Sequence, residues 1–152
     1  MLNVRKILCP LAGTEESPFV IDTAVTLARK FQAQLTVLNV IPLSVVDMMR
    51  PYGSMVTEDV LPKQVEERLE VHSQAVLAKA REQLDGYEAE LTSIIGHPGE
   101  AICHIASEGG YDLIVIGNRA QNALQRLFLG SVSDYVVHNG SCPVMIARCR
   151  EA

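Results

Sequence analysis

Apolar positions along the chain fall into two kinds of run, and the two kinds alternate. Short aliphatic and β-branched runs read as strands: Val4–Pro10, Gln34–Ile41, Glu88–Ile95, Asp112–Gly117 and Cys142–Ala147. Between them the apolar residues recur at helical spacing. Ile21, Ala24, Val25 and Ala28 do so over Ser17–Phe31, and Val65, Leu69, His72, Val76, Ala80 and Leu84 form one stripe over residues 61–84. Gly86 stops that second helix. Pro98 and Glu100 suit the first turn of a third helix, which runs to about Glu108 before Gly109-Gly110. A fourth starts at Gly130-Ser131 and ends near Asn139-Gly140.

The run Leu113-Ile-Val-Ile116 has no polar interruption, so strand four is expected to be buried on both faces. Strand three alternates apolar and polar residues, which suits one wetter face at a sheet edge. Strands alternating with helices predict an α/β fold, a mostly parallel sheet with helices on both sides. Residues 42–60 break the rhythm with Pro42, Pro51 and Gly53, and read as a long loop with a short helical turn. Met48, Met49 and Met55 lie in it, either as loop packing or as an adaptable apolar surface. No repeat or second domain is visible, so residues 1–152 read as a single domain.

Composition adds limits. Hydrophobic residues are 48% of the 152, enough for a sizeable core, and with no tryptophan that core must be mainly aliphatic. Thirteen basic against eighteen acidic residues give a net charge of −5, which argues against nucleic acid or an anionic membrane as the main partner. No apolar run approaches the roughly 18 residues of a membrane span. The start, Arg5-Lys6 before an apolar run, superficially resembles a signal peptide. The run is short, contains Pro10 and meets Glu15-Glu16, so a core strand is the expectation. The cysteines at 9, 103, 142 and 149 form no C-x-x-C pair; reduced, buried thiols and a cytoplasmic location are expected, with Cys149 the reactive one.

The candidate chemistry lies after strand four. Gly117-Asn118-Arg119-Ala120 is followed after nine residues by Gly130-Ser131-Val132-Ser133. Ligands of open α/β sheets sit beyond the C-terminal strand ends, where strand order reverses. If strands one and four are neighbours, Ala12-Gly13-Thr14 and Gly117–Ala120 face one crevice. The helix start at Gly130 offers free N–H groups and partial positive charge to a phosphate. Ser131 and Ser133 would add hydroxyl donors, and Arg119 or Arg126 would neutralise charge. Equally, Gly117 merely ends a strand and Ser131 merely caps a helix. A Walker P-loop and a G-x-G-x-x-G fingerprint are both absent.

The pattern G-x2-G-x9-G-[ST], then Val132-Ser133 and, about ten residues on, Cys142-Pro143-Val144, resembles the nucleotide-binding universal stress proteins. Lys6-Ile7-Leu8-Cys9-Pro10 with Gly13-Thr14, Gly96-His97-Pro98-Gly99-Glu100-Ala101-Ile102 and Tyr111–Gly117 are similar to that family too. The resemblance spans nearly all of the chain except residues 42–60. It implies a Rossmann-like, open five-stranded parallel sheet of order 3-2-1-4-5 with two helices on each side. It implies a homodimer made by pairing strand 142–147, which would cover an apolar edge. It also implies a stress-response role with ATP, or AMP or ADP, as ligand, and Mg²⁺ as a companion ion. Adenine would lie near Pro10, Leu11, Ala12, Gly13 and Val40. The phosphates would lie over Gly117, Asn118, Arg119 and Ala120 and the helix start at Gly130, Ser131, Val132 and Ser133.

Two positions depart from the family pattern. The opening loop reads Leu11-Ala12-Gly13-Thr14 where the family has Val-Asp-Gly-Ser, so a carboxylate is missing. The second motif glycine is Ala120, whose methyl is costly at positive φ and tolerated at negative φ. No catalytic constellation emerges. No serine has a His/Asp partner and no carboxylate is poised beside the motif, so at most slow ATP hydrolysis is expected. His72 reads as a packed histidine, His97 as solvated, and His138 as suited to a helix C-terminus. Cys103 and His104, adjacent on a helix, point about 100° apart and make no metal pair.

Overall fold

The computed structural model describes residues 1–12, 18–44, 46, 63–118 and 130–148. Among the described residues, and apart from a helical stretch after β2, five strands alternate with four helices: β1 (Lys6–Ala12), α1 (Pro18–Phe31), β2 (Gln34–Pro42), α2 (Lys63–Gln83), β3 (Glu90–Gly96), α3 (Pro98–Glu108), β4 (Leu113–Gly117), α4 (Ser131–Asn139) and β5 (Val144–Ala147). All strand pairs are parallel and the order is β3-β2-β1-β4-β5. β1 and β4 are therefore neighbours, with Ile7 opposite Leu113 and Leu8 opposite Ile114.

Side-chain alternation divides the core in two. Ile7, Cys9 and Leu11 of β1 pack on one face with Val20, Ile21, Ala24, Val25 and Ala28 of α1 and Ala80 of α2. Leu8, Leu38, Val40, Ile114 and Ile116 pack on the other with Ile102 and Ala106 of α3 and Val136 of α4. Two helices thus cover each face. Leu113 to Ile116 are all buried, as their unbroken apolar run requires.

Several boundaries differ from the sequence expectation. β1 begins two residues late and runs on to Ala12, because its ladder with β2 pairs Lys6 with Gln34 and ends at Ala12 opposite Val40. Val4 is buried but precedes the strand. β3 starts at Glu90, and four of its seven residues in succession are half-buried, so it lacks the strict alternation its sequence suggests. Asp112 lies just before β4, where its carboxylate accepts the amides of Arg5 and Lys6. β5 starts at Val144: Cys142 stands in a bend and Pro143 has no N–H to give a ladder, although its carbonyl accepts from Ile114. Within the expected loop, Pro42 belongs to β2 and Leu43, Ser44 and Val46 are helical; Met48, Met49 and Met55 lie outside the described residues. α2 agrees with its predicted stripe, Val65, Leu69, Ala80 and Leu84 being buried, with His72 and Val76 half-buried.

Candidate nucleotide site

The C-terminal ends of β1 and β4 lie side by side at the point where strand order reverses, β2 lying beyond β1 and β5 beyond β4. Pro10, Leu11 and Val40 are buried there, with Leu11 opposite Asn39 and Ala12 opposite Val40. Gly117 ends β4 and is half-buried. Gly130 precedes α4 as its N-cap, with φ −60° and ψ 154°. Gly13, Arg119, Ala120 and Arg126 lie outside the described residues, as does Cys149.

Gly130 has no side chain with which to cap α4, and among the described residues no side-chain cap bond replaces one. The first intrahelical bond runs from Asp134 N–H to Gly130 O, at 2.8 Å. The amides of Ser131, Val132 and Ser133 precede that bond, as the donors at any helix start do. The glycine itself is held at both ends. Its N–H donates to Asn118 Oδ1 at 2.7 Å. Its carbonyl accepts from the hydroxyl of Ser133 at 3.0 Å.

The two serines therefore differ. Ser131 is the first helical residue and is exposed, so it is not the cap. Ser133 is 2% exposed and its hydroxyl proton is spent on Gly130. Of the two hydroxyls expected to serve a phosphate, only that of Ser131 faces solvent. Val132 is half-buried against the core of this face. Asp134 occupies the first turn and meets His138 one turn later at 3.5 Å.

Elsewhere, His97 is exposed as the residue before α3, and the Nδ1 of His138 lies 2.8 Å from the Asp134 carbonyl in the last turn of α4. Cys9 is buried, whereas Cys103 and Cys142 are only half-buried, less than their apolar flanks suggest. Among the described residues no group of three His, Cys, Asp or Glu stands ready for a metal, and no helix is long and apolar enough to cross a membrane. Asp112, with its pKa lowered by the amides of Arg5 and Lys6, lies at the opposite end of β4 from the motif.

Two polar features of this region escaped the sequence reading. One is the Asn118–Gly130 bond. The other is a chain on the α2 side of β2: Asn39, 1% exposed, donates to Ser93 Oγ at 3.1 Å, and Ser93 donates to Ser73 Oγ at 3.0 Å. An asparagine inside the apolar run Val37–Ile41 was the available signal.

Known proteins resemble this chain in sequence and fold. The universal stress protein family model matches residues 3–148. Universal stress protein Sll1388 of Synechocystis sp. is 34% identical, covering 97% of this chain and 99% of the relative. Universal stress protein YxiE of Bacillus subtilis is 32% identical over 95% and 99%. Among solved structures, universal stress protein UspA from Lactobacillus plantarum superposes with TM-score 0.74 at 24% identity, covering 96% of this chain and 99% of its own. A universal stress protein in complex with cAMP gives 0.69 at 21% identity (97% and 99% covered). One from Archaeoglobus fulgidus in complex with dAMP gives 0.62 at 19% (97% and 100%). With the β3-β2-β1-β4-β5 sheet, a helix start bonded to the residue after β4, and a family match over residues 3–148, this chain belongs to the universal stress protein family.

Proposed function

We propose that this chain binds an adenine nucleotide as a regulatory ligand of the stress response, with no efficient turnover. The observation that carries the reading is the start of α4. Among the described residues its first amides have no side-chain cap, and the helix start is bonded to Asn118, the first residue after β4. A helix start of this kind favours an anion through its free N–H groups and its dipole. Fold relatives complexed with cAMP and dAMP support an adenine nucleotide as the class.

The phosphates would meet Gly117, Arg119, Ala120, Gly130, Ser131 and Val132, with Asn118 beside them. Pro10, Leu11, Ala12, Gly13 and Val40 would flank the nucleoside. ATP with Mg²⁺ is the fullest version of the ligand, and AMP the smallest that uses the helix start. Ser133 would act from beneath, by fixing the Gly130 carbonyl. We further read the protein as a single-domain, cytoplasmic homodimer paired through β5.

The test is the nucleotide content of freshly purified protein, followed by titration calorimetry of ATP and AMP with and without Mg²⁺. Bound adenine nucleotide, or saturable heat below millimolar ligand, supports the reading. Neither nucleotide nor heat would leave a nucleotide-free interaction module of the same fold.

A further inference from the structure

Asn118 is the first residue after β4, a strand whose residues 113–116 are all buried. It lies 12 residues before Gly130 in sequence, yet its Oδ1 accepts the Gly130 N–H at 2.7 Å. An N-cap side chain ordinarily fixes a helix start from within. Here the cap is a glycine, the residue type with the greatest backbone freedom. Its conformation is instead held from two sides, by Asn118 from outside the helix on its N–H and by Ser133 of the first turn on its carbonyl. The Asn118 bond holds the peptide unit that enters Gly130, and the Ser133 bond holds the next one, from which the Ser131 amide projects. Donors fixed in place before a ligand arrives cost less to order on binding.

We propose that Asn118 is the positioning residue of the phosphate site. It ties the first turn of α4 to the end of β4, so that the helix amides are aligned before the phosphate binds. The inference rests on the nucleotide reading above and assigns Asn118 a task within it. Asn118 acts through Gly130. Its neutral amide suits the place, since an isosteric carboxylate would accept the same N–H but set a negative charge beside an anion.

The experiment compares adenosine, AMP and ATP on the wild type, Asn118→Ala and Asn118→Asp by calorimetry, with hydrogen exchange read at the Gly130 amide. In Asn118→Ala, AMP and ATP affinity should fall about tenfold, a change of about 1.4 kcal/mol, while adenosine affinity stays within about twofold and Gly130 exchange accelerates. In Asn118→Asp the Gly130 amide should stay protected, while AMP affinity still falls and recovers partly at high salt. Wild-type affinity for AMP in Asn118→Ala would overturn the proposal. So would an equal loss for adenosine and AMP, which marks a purely structural role. If the alanine variant fails to fold, the aspartate variant decides alone: AMP binding as in the wild type refutes the assignment. A wild type that binds none of the three ligands refutes the nucleotide reading and this assignment together, a pattern distinct from failure in the variants only.

Discussion

Gly99 of α3 lies against the ring of Tyr135 of α4, so closely that a Cβ on Gly99 would stand 2.6 Å from Tyr135 Cδ1 and 2.8 Å from Cγ. No carbon pair tolerates that separation, so the two helices approach as they do only because position 99 has no side chain. This contact lies one turn from the start of α4 and helps to place the helix that carries the candidate site. Gly99→Ala should destabilise the fold by about 1–3 kcal/mol, as overpacking does. In a Tyr135→Ala background the same change should cost less, because only the Cβ of residue 135, at 3.1 Å, is left in its way. Urea unfolding of the four proteins checks this. Equal effects of Gly99→Ala in both backgrounds would show that the ring is not the obstacle.

Asp112 joins the start of β1 to the start of β4, accepting from Arg5 N–H at 2.8 Å and Lys6 N–H at 2.9 Å. These backbone bonds, aided by the Arg5 and Lys6 charges, lower its pKa. A carboxylate with a depressed folded pKa stabilises the fold above the unfolded value, near about 3.9, and that stability is lost as pH falls through the folded pKa. Solvent near Asp112 screens the effect, so Asp112→Asn should cost about 1 kcal/mol at pH 7. The gap between variant and wild type should narrow below pH 4. A gap that is constant from pH 7 to pH 3 would mean the carboxylate charge contributes nothing.

Much of this architecture was legible because burial writes itself into the sequence. The apolar run Leu113–Ile116 requires cover on both sides, and β4 has it. The stripe of Ala24, Val25 and Ala28 requires one buried helix face, and α1 has it. Edges were less legible, because a strand ends where its partner's ladder ends. β1 runs to Ala12 since Val40 of β2 is there to pair, and β5 waits for Val144 because Pro143 has no amide to offer. At the site, glycine and serine spacing located the helix start. It did not distinguish exposed Ser131 from buried Ser133, a difference set by one turn of helix geometry. The Asn118–Gly130 bond spans 12 residues and follows no local periodicity.

The chain from Asn39 through Ser93 to Ser73 crosses from β2 to β3 and up to α2. Asn39 is 1% exposed, so its amide depends on protein partners. Asn39→Ala should cost about 1–3 kcal/mol through the lost bond and the small cavity. Ser73→Ala, at a half-buried position, should cost under about 1 kcal/mol. The ranking is checked by chemical denaturation. Equal costs would place the weight of the network at its α2 end.

Burial raises the pKa of both Cys103 and Cys142, and Cys142 is raised further by the charges of Asp112 and Cys103. Both thiols should therefore be neutral at pH 7 and alkylate slowly, with rates that climb only above the range of a free thiol, about 8.5. Removing the charge with Asp112→Asn should lower the midpoint for Cys142 and leave that of Cys103 in place. Iodoacetamide labelling across pH, read by peptide mass spectrometry, tests both statements. Equal shifts at the two cysteines would point to a general loosening of the fold instead.

β5 closes one side of the sheet order, so among the described residues one of its edges has no strand partner. Its outer residue Met145 is 39% exposed, and Val137 on neighbouring α4 is 43% exposed. Unpaired amides beside apolar side chains form a surface that pairs readily with a second strand. In the proposed two-fold pairing each β5 would meet its own copy, which brings introduced like charges together across the axis. Met145→Glu should therefore yield monomers by light scattering. The fold itself should survive, because a carboxylate at that exposed position reaches water in the separated chain. Phe31→Glu, at an equally exposed apolar position on the end of α1, serves as the control and should leave the assembly intact. A dimer that persists in Met145→Glu at micromolar concentration would move the interface away from β5, and a monomeric wild type would remove it.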